Sequence, residues 1–238
     1  VAENTWDDIA IVVYFQDQHT TSKTVGTYTL DVADIYQGAY VPVDGSQVST
    51  GTQQRVIMED FTAVWCTYCT GVVGAMERID HDTSANLFPD KYIGIEFHAS
   101  SSSDVYYRAD SNTRGSFYTV PGYPTWVIDG TDATVGGSTN ANDSAVENSI
   151  RNKISTAGAN AAPLSIVAVG GHDSSKCWVN FTVTVEDSNF DNPKVDCLVV
   201  LTQDAFPRRH NVPAGSSEAR LGLICEKVSK FRVFDIHG

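Results

Sequence analysis

The sequence predicts an α/β domain in its middle, an all-β, sandwich-like module after it and a β segment in front. Three observations carry this. From about residue 51 to 160, strand-like and helix-like apolar patterns alternate. Beyond Pro163 the apolar period becomes two, in about five successive segments. Ahead of residue 50, the run Ile9 to Phe15 has no polar face, as a strand buried on both sides requires. The expected divisions are 1–50, 51–160 and 161–238.

In order along the chain, Ile9–Phe15, Thr27–Val32 and Ala39–Val43 read as strands, with a turn at Asp44-Gly45-Ser46. Arg55–Phe61 is the first strand of the middle domain. The helix after it, from Cys66 to about Asp80, stacks Val72, Met76 and Ile79 on one face. Tyr92–Phe97 is the next strand. Residues 98–118 form a polar insertion, with Ser100 to Ser103, an N-cap at Asp104 and a short helix. Pro124–Ile128 and Ala133–Val135 pair about the turn Asp129-Gly130. Ser144-Ala145-Val146-Glu147 reads as a capping box, opening a helix that aligns Val146, Ile150 and Ile154 and stops near Gly158. Leu164–Val169, Cys177–Val185, Val195–Leu201, Leu221–Cys225 and Phe231–Ile236 complete the β module.

Composition narrows the function. The chain has 238 residues and a net charge of −13. Such a surface repels nucleic acid and anionic membranes, and no basic stripe offsets it. No apolar run is long enough to span a bilayer. The sequence shows no signal peptide, and because Val1 is not Met the chain reads as processed or as a fragment. Low lysine content and two sequons, at Asn142 and Asn180, fit an extracytoplasmic protein that accepts glycans. Five cysteines are an odd number. Cys177, Cys197 and Cys225 all lie on the apolar parity of their strands, and in an oxidising compartment two of the three are expected to bridge.

The chemistry concentrates at Asp60-Phe61-Thr62-Ala63-Val64-Trp65-Cys66-Thr67-Tyr68-Cys69. A cysteine at a helix N-terminus meets unpaired N–H groups and a partial positive charge, which stabilise a thiolate. Cys66 is therefore the expected nucleophile, with the lower pKa and the more exposed sulfur. Cys69, one turn on, resolves the mixed disulfide.

With Val120-Pro121-Gly122-Tyr123-Pro124-Thr125 and the β–α–β–insertion–β–β–α order, this motif makes residues 51–158 resemble the thioredoxin superfamily. With Arg114 and Tyr118 in the long insertion, the chain looks like thioredoxin-like domains of extracytoplasmic proteins that carry a trailing β module. The resemblance implies a cis bond before Pro124, placing the Tyr123 backbone beside the sulfurs. It implies that Asp60 assists proton transfer at Cys69, and that Trp65, Tyr68, Tyr123 and Thr125 meet the substrate. The Thr67-Tyr68 dipeptide departs from the Gly-Pro and Pro-His of well-known relatives, so the redox potential is not legible.

The function expected is a thiol–disulfide oxidoreductase acting on protein thiols or disulfides, with no cofactor beyond its own redox-active disulfide and no metal. Competing readings are an inert disulfide in a structural or adhesive extracellular subunit that polymerises by strand addition, and a carbohydrate- or protein-binding module. A zinc half-site at Cys66 and Cys69 lacks a second cysteine pair. Glu186, Asp187 and Asp191 form an acidic turn that a calcium site would also use. Finally, Asp8–Asp17 echoes Asp196–Asp204, both being apolar strands that end in Gln-Asp. This predicts that the N-terminal strand joins the C-terminal β module, within one chain or between chains.

Overall fold

The computed structural model describes residues 6, 9–98, 104, 106–190 and 194–203 in full and residues 223–232 as backbone. It is a mixed α/β fold. Its strands are β1 (Ile9–Asp17), β2 (Thr21–Val25), β3 (Tyr28–Val32), β4 (Ile35–Pro42), β5 (Gln47–Ser49), β6 (Val56–Thr62), β7 (Tyr92–His98), β8 (Thr125–Ile128), β9 (Asp132–Val135), β10 (Leu164–His172), β11 (Cys177–Val185), β12 (Val195–Gln203) and β13 (Leu223–Arg232). Its helices are α1 (Cys69–Asp80), α2 (Ala109–Phe117) and α3 (Ser144–Ala157).

One eight-stranded sheet runs β4-β1-β12-β13-β7-β6-β8-β9. The expected divisions at residues 50 and 160 are therefore crossed by a single sheet, built from the beginning, middle and end of the chain. The two echoing segments are direct partners: β1 lies antiparallel to β12, from Ile9 opposite Gln203 to Asp17 opposite Val195. β4 flanks β1 on its other edge. The intrachain form of the strand-joining expectation is thus what the chain adopts.

The apolar run in β1 explains that position. Val12 and Tyr14 enter a core shared with Leu30, Ile57, Phe61, Phe97 and Tyr118. Ile11, Val13 and Phe15 enter a second core, against Leu164, Ile166 and Phe181 of the small sheet β11-β10-β5. Alternate side chains of a strand point to opposite faces, so a strand apolar at nearly every position suits a place in the sheet covered on both faces. Beside the second core, on the same face, α1 and α3 cover Val56, Met58, Tyr92 and Trp126.

Several local expectations change. α1 begins at Cys69 and not at Cys66, because residues 63–68 form turns closed by Cys66 N–H on the Ala63 carbonyl. Asp143, not Ser144, caps α3: its Oδ1 accepts the Ala145 and Val146 N–H groups at 2.9 and 3.3 Å. Ser144 is the first helical residue, so the capping box is displaced by one and Glu147 instead binds Arg78 and Arg151. Asp104 does not cap α2, whose N-cap is Arg108. The last two expected strands are one, β13, within the described residues. β2 and β5 were not anticipated; polar and short, they lack an apolar period.

Among the described residues no bridge joins the downstream cysteines. Any such bridge needs Cys177 or Cys197, and both are free thiols. Both do reach the second core, as strand parity requires. They meet it at different levels, however. Cys197 pairs with Phe15, whose ring contacts Phe181, four residues along β11 from Cys177. Four strand residues span about 13 Å, beyond the ~7 Å Cα separation a disulfide tolerates. The side chain of Cys225 lies outside the described residues. Burial pushes the Cys197 thiol up to about 12, with Asp196 adding to it, so it stays protonated.

Candidate functional site

The site forms where β6 ends and α1 begins. Cys66 and Cys69 are joined as a disulfide. Both sulfur-bearing side chains pack with Ala63 and Tyr123. Cys69 is fully buried, whereas Cys66 is 6 % exposed and is the outer member of the pair. The Cys69 N–H, at the start of α1, points at Cys66 Sγ from 3.2 Å. A donor at a helix start stabilises negative charge on that sulfur once the bond is opened. Cys66 gains this without lying inside the helix.

Exposed aromatic side chains flank the buried pair in sequence. Trp65 is 46 % exposed and Tyr68 62 %. Tyr123 meets the Trp65 ring edge-on at 5.9 Å. Beside Tyr123 runs a cleft lined by Asn112, Gly115, Ser116, Thr119 and Val120. The Tyr123–Pro124 bond is cis, as is Phe88–Pro89, which the sequence did not signal. Thr125 departs from its expected role: it is buried, and its hydroxyl donates to the Gly122 carbonyl at 2.8 Å, which closes the turn before Pro124.

Glycines let a second strap lie against the site. Gly71 N–H donates to the Ser138 carbonyl at 2.7 Å. A Cβ on Gly74 would stand 2.3 Å from the Ala141 carbonyl oxygen, and one on Gly137 would stand 2.5 Å from the Tyr68 carbonyl and 2.8 Å from Pro124 Cγ. Residues 137–141 thus cross α1 at backbone contact and bring Pro124 beside the cysteine turn.

Behind the cysteines lies a cluster of ionisable groups. Asp60 is fully buried on β6, on the same parity as Met58 and so on the α1 side. Its register partner on β7 is Glu96, also buried. His98, fully buried at the end of β7, has Asp104 Oδ2 2.9 Å from Nδ1 and Glu96 Oε2 3.3 Å from Nε2. Asp104 also accepts the Val64 N–H at 2.8 Å and the Tyr106 N–H at 2.9 Å. Burial disfavours charge on His98, but the two carboxylates outweigh it and its pKa is raised. Burial likewise opposes charge on Asp104, yet His98 and the two backbone donors hold its carboxyl below the usual range. Sequence reasoning missed Glu96 and His98 and gave Asp104 another task. The available signal was the alternation Glu96-Phe97-His98 on a strand otherwise apolar.

On the opposite face of β6, Glu59 binds Arg114 through two contacts, at 2.6 and 2.7 Å. Tyr14 and Tyr118 also donate to Glu59, and Gln16 donates to the Tyr118 oxygen at 3.0 Å. Burial works against charge on Arg114, but Glu59 and the tyrosines outweigh it and hold its pKa well above normal.

Among the described residues, no group of three or more histidine, cysteine, aspartate or glutamate side chains is placed to hold a metal ion. Asp191 of the acidic turn lies outside them; Asp187 there closes its own turn by accepting from Asn189. Asn142 and Asn180, the sequon asparagines, are exposed. No described helix is long and apolar enough to cross a membrane. Comparison of the chain with models of known families, with curated proteins and with solved structures gave no significant match.

Proposed function

We propose that this protein is an extracytoplasmic thiol–disulfide oxidoreductase with a thioredoxin-like middle region, acting on protein cysteines through Cys66 and Cys69. The observation that carries the reading is the disulfide itself. It sits at a strand-to-helix junction with one sulfur outermost, the first helical N–H aimed at that sulfur, and exposed aromatic rings around it. An inert structural disulfide needs neither the donor nor the uncovered rings. The order β6–α1–β7–α2–β8–β9–α3 and Pro124 beside the cysteine turn support the thioredoxin-like part. Exposed sequons and an oxidised pair support the location.

The chemistry balances without a cofactor. A substrate thiolate attacks Cys66 Sγ; the Cys66–Cys69 bond breaks and its electron pair leaves on Cys69 Sγ, which takes up a proton. Asp60, buried on the α1 side of β6, is the assigned proton carrier for that sulfur. The second substrate thiolate then attacks the substrate sulfur of the mixed disulfide. Cys66 leaves as a thiolate, facing the Cys69 N–H. The substrate dithiol loses two electrons and two protons; the pair gains both electrons and one proton, on Cys69, and the other proton goes to solvent. The reverse sequence reduces a substrate disulfide. Trp65, Tyr68 and Tyr123 supply the apolar surface for the substrate chain.

Catalysed reduction of insulin by dithiothreitol tests this. The wild-type protein should accelerate precipitation of the insulin B chain, and Cys66→Ser should abolish the acceleration. Folded wild-type protein with no acceleration would refute the enzyme reading. A second reading, assembly by strand addition, is favoured by β11, an edge strand of nine residues without charge or proline and with Trp178 exposed. Large assemblies of catalytically silent protein in light scattering would favour it.

A further inference from the structure

The cluster behind the cysteines has a geometry that a neutral histidine cannot satisfy while both neighbouring carboxylates are ionised. Each ring nitrogen of His98 faces a carboxylate oxygen within hydrogen-bond distance, Asp104 on one side and Glu96 on the other. A carboxylate only accepts, and a neutral imidazole has a single N–H. With Glu96 and Asp104 both ionised, both contacts are made only when both nitrogens carry protons. Asp104 uses the same Oδ2 for His98 and for the Val64 N–H. Val64 precedes Trp65 and Cys66, and its neighbour Ala63 accepts the Cys66 N–H. A continuous chain of contacts therefore runs Glu96–His98–Asp104–Val64 into the cysteine turn.

We infer that His98 is a positioning residue for exchange at Cys66: doubly protonated, it holds Asp104 against the Val64 N–H, and the cysteine turn is set only while both protons remain. The inference rests on the oxidoreductase reading of this site.

The surroundings give the direction of the pH effect. Turned to the same side are Asp60 from β6, Glu96 and Tyr92 from β7 and Asp80 from the end of α1, all four coupled electrostatically through the Tyr92 hydroxyl. The Tyr106 ring stands edge-on to His98 at 5.1 Å. The exposed Arg108 donates its backbone N–H to the His98 carbonyl. On the opposite face, Arg114 is engaged by Glu59. β13 pairs with β7 at Ile95 and Glu96, short of His98. Loss of the His98 proton thus removes a positive charge from an already acidic patch behind Cys66, and it breaks one of the two carboxylate contacts. Both changes disfavour an attacking thiolate and a thiolate product. The two carboxylates raise the His98 pKa above that of a free imidazole, so the proton is held to higher pH than an isolated histidine would hold it and is lost beyond that.

The test follows reduction of the Cys66–Cys69 disulfide in the intact protein by dithiothreitol, with the rate constant expressed per dithiothreitol thiolate, from about pH 5.5 to about pH 9. In wild type this constant should fall about tenfold as His98 deprotonates. His98→Asn and Asp104→Asn should lie near the lower level throughout, with a flat profile. A merely structural role would lower the melting temperature and the rate at every pH while leaving the inflection in place. Such a result overturns the inference, as does a flat wild-type profile. Should the variants not fold, titration of the His98 ring protons by NMR in wild type decides: a midpoint different from that of the rate overturns it. Because dithiothreitol needs no protein-docking surface, failure with insulin refutes the oxidoreductase reading while leaving this profile intact.

Discussion

Replacing Arg114 by methionine should cost about 3–5 kcal/mol of folding stability, an effect of roughly a hundredfold to a thousandfold or more on the folding equilibrium. The magnitude follows from the burial of the pair. Arg114 is 5 % exposed and Glu59 not at all, and the guanidinium meets both carboxylate oxygens. Methionine fills much of the apolar volume but leaves Glu59 with only the Tyr14 and Tyr118 hydroxyls as partners. Removing both charges in Glu59→Met/Arg114→Met should cost less than removing Arg114 alone, about 1–2 kcal/mol, chiefly because the two tyrosine hydroxyls lose their acceptor. Urea unfolding of the four proteins at neutral pH, followed by tryptophan fluorescence, closes the double-mutant cycle. The reasoning is refuted if Arg114→Met costs under about 1 kcal/mol, or if the two single costs simply add in the double variant.

Gentle alkylation of the reduced protein should label Cys66 before Cys69, since only Cys66 is open to solvent and faces the first N–H of α1; peptide mapping that finds Cys69 labelled first contradicts the assignment. Burial pushes the Asp129 carboxyl up to about 7, against the Ile57 N–H and the Gln54 amide, so the folded state holds a proton that the unfolded state has released above 3.8. Stability should therefore fall as pH rises through that window. Asp129→Asn should be stabilising by about 1–2 kcal/mol at pH 8 and close to neutral at pH 4, the full displacement of about 4 kcal/mol being reduced by partial solvent contact. Equal effects at both pH values would exclude this origin. Gly74→Ala should destabilise by about 2 kcal/mol or more, because the new methyl meets the Ala141 carbonyl, whereas Gly122→Ala, with open space around it, should change little in thermal melts.

The legible parts of this fold are those in which one local pattern decides the outcome. Cys177–Val185 alternates residue by residue, and the strand has those bounds. Ile9–Phe15 has no polar face and lies in the sheet interior. Its partner was legible only through the short echo at Asp196–Asp204. What escaped was settled by neighbours distant in sequence. β5 carries three residues of no distinctive pattern and exists because Val167, Ala168 and Val169 offer it an edge. The displaced cap of α3 turns on one residue, since Asp143 and Ser144 both suit the position. At the site, the cysteine pair and Pro124 announce themselves by residue type. His98 does not: it becomes informative only when Glu96 and Asp104 are seen on either side of its ring. Thr125 shows the converse, a motif residue whose hydroxyl is consumed by its own turn.

The interior placement of β1 sets the order in which the molecule can be finished. The Thr202 hydroxyl donates to the Ala10 carbonyl across 192 positions of chain. During synthesis this apolar strand emerges well before the strand that must lie beside it, Ala10 preceding Thr202 by 192 positions. Until then β1 can pair with β4, but its other edge stays open, and neither face has its full cover. Closing so long a loop is entropically slow and gives the fold a high contact order. Pairing of β12 with β1 is therefore a late step of folding, and growing chains held before it offer one another an uncharged strand edge. A cell making this protein has to shield one short segment, Ile9 to Phe15, from its own synthesis until β12 has been made.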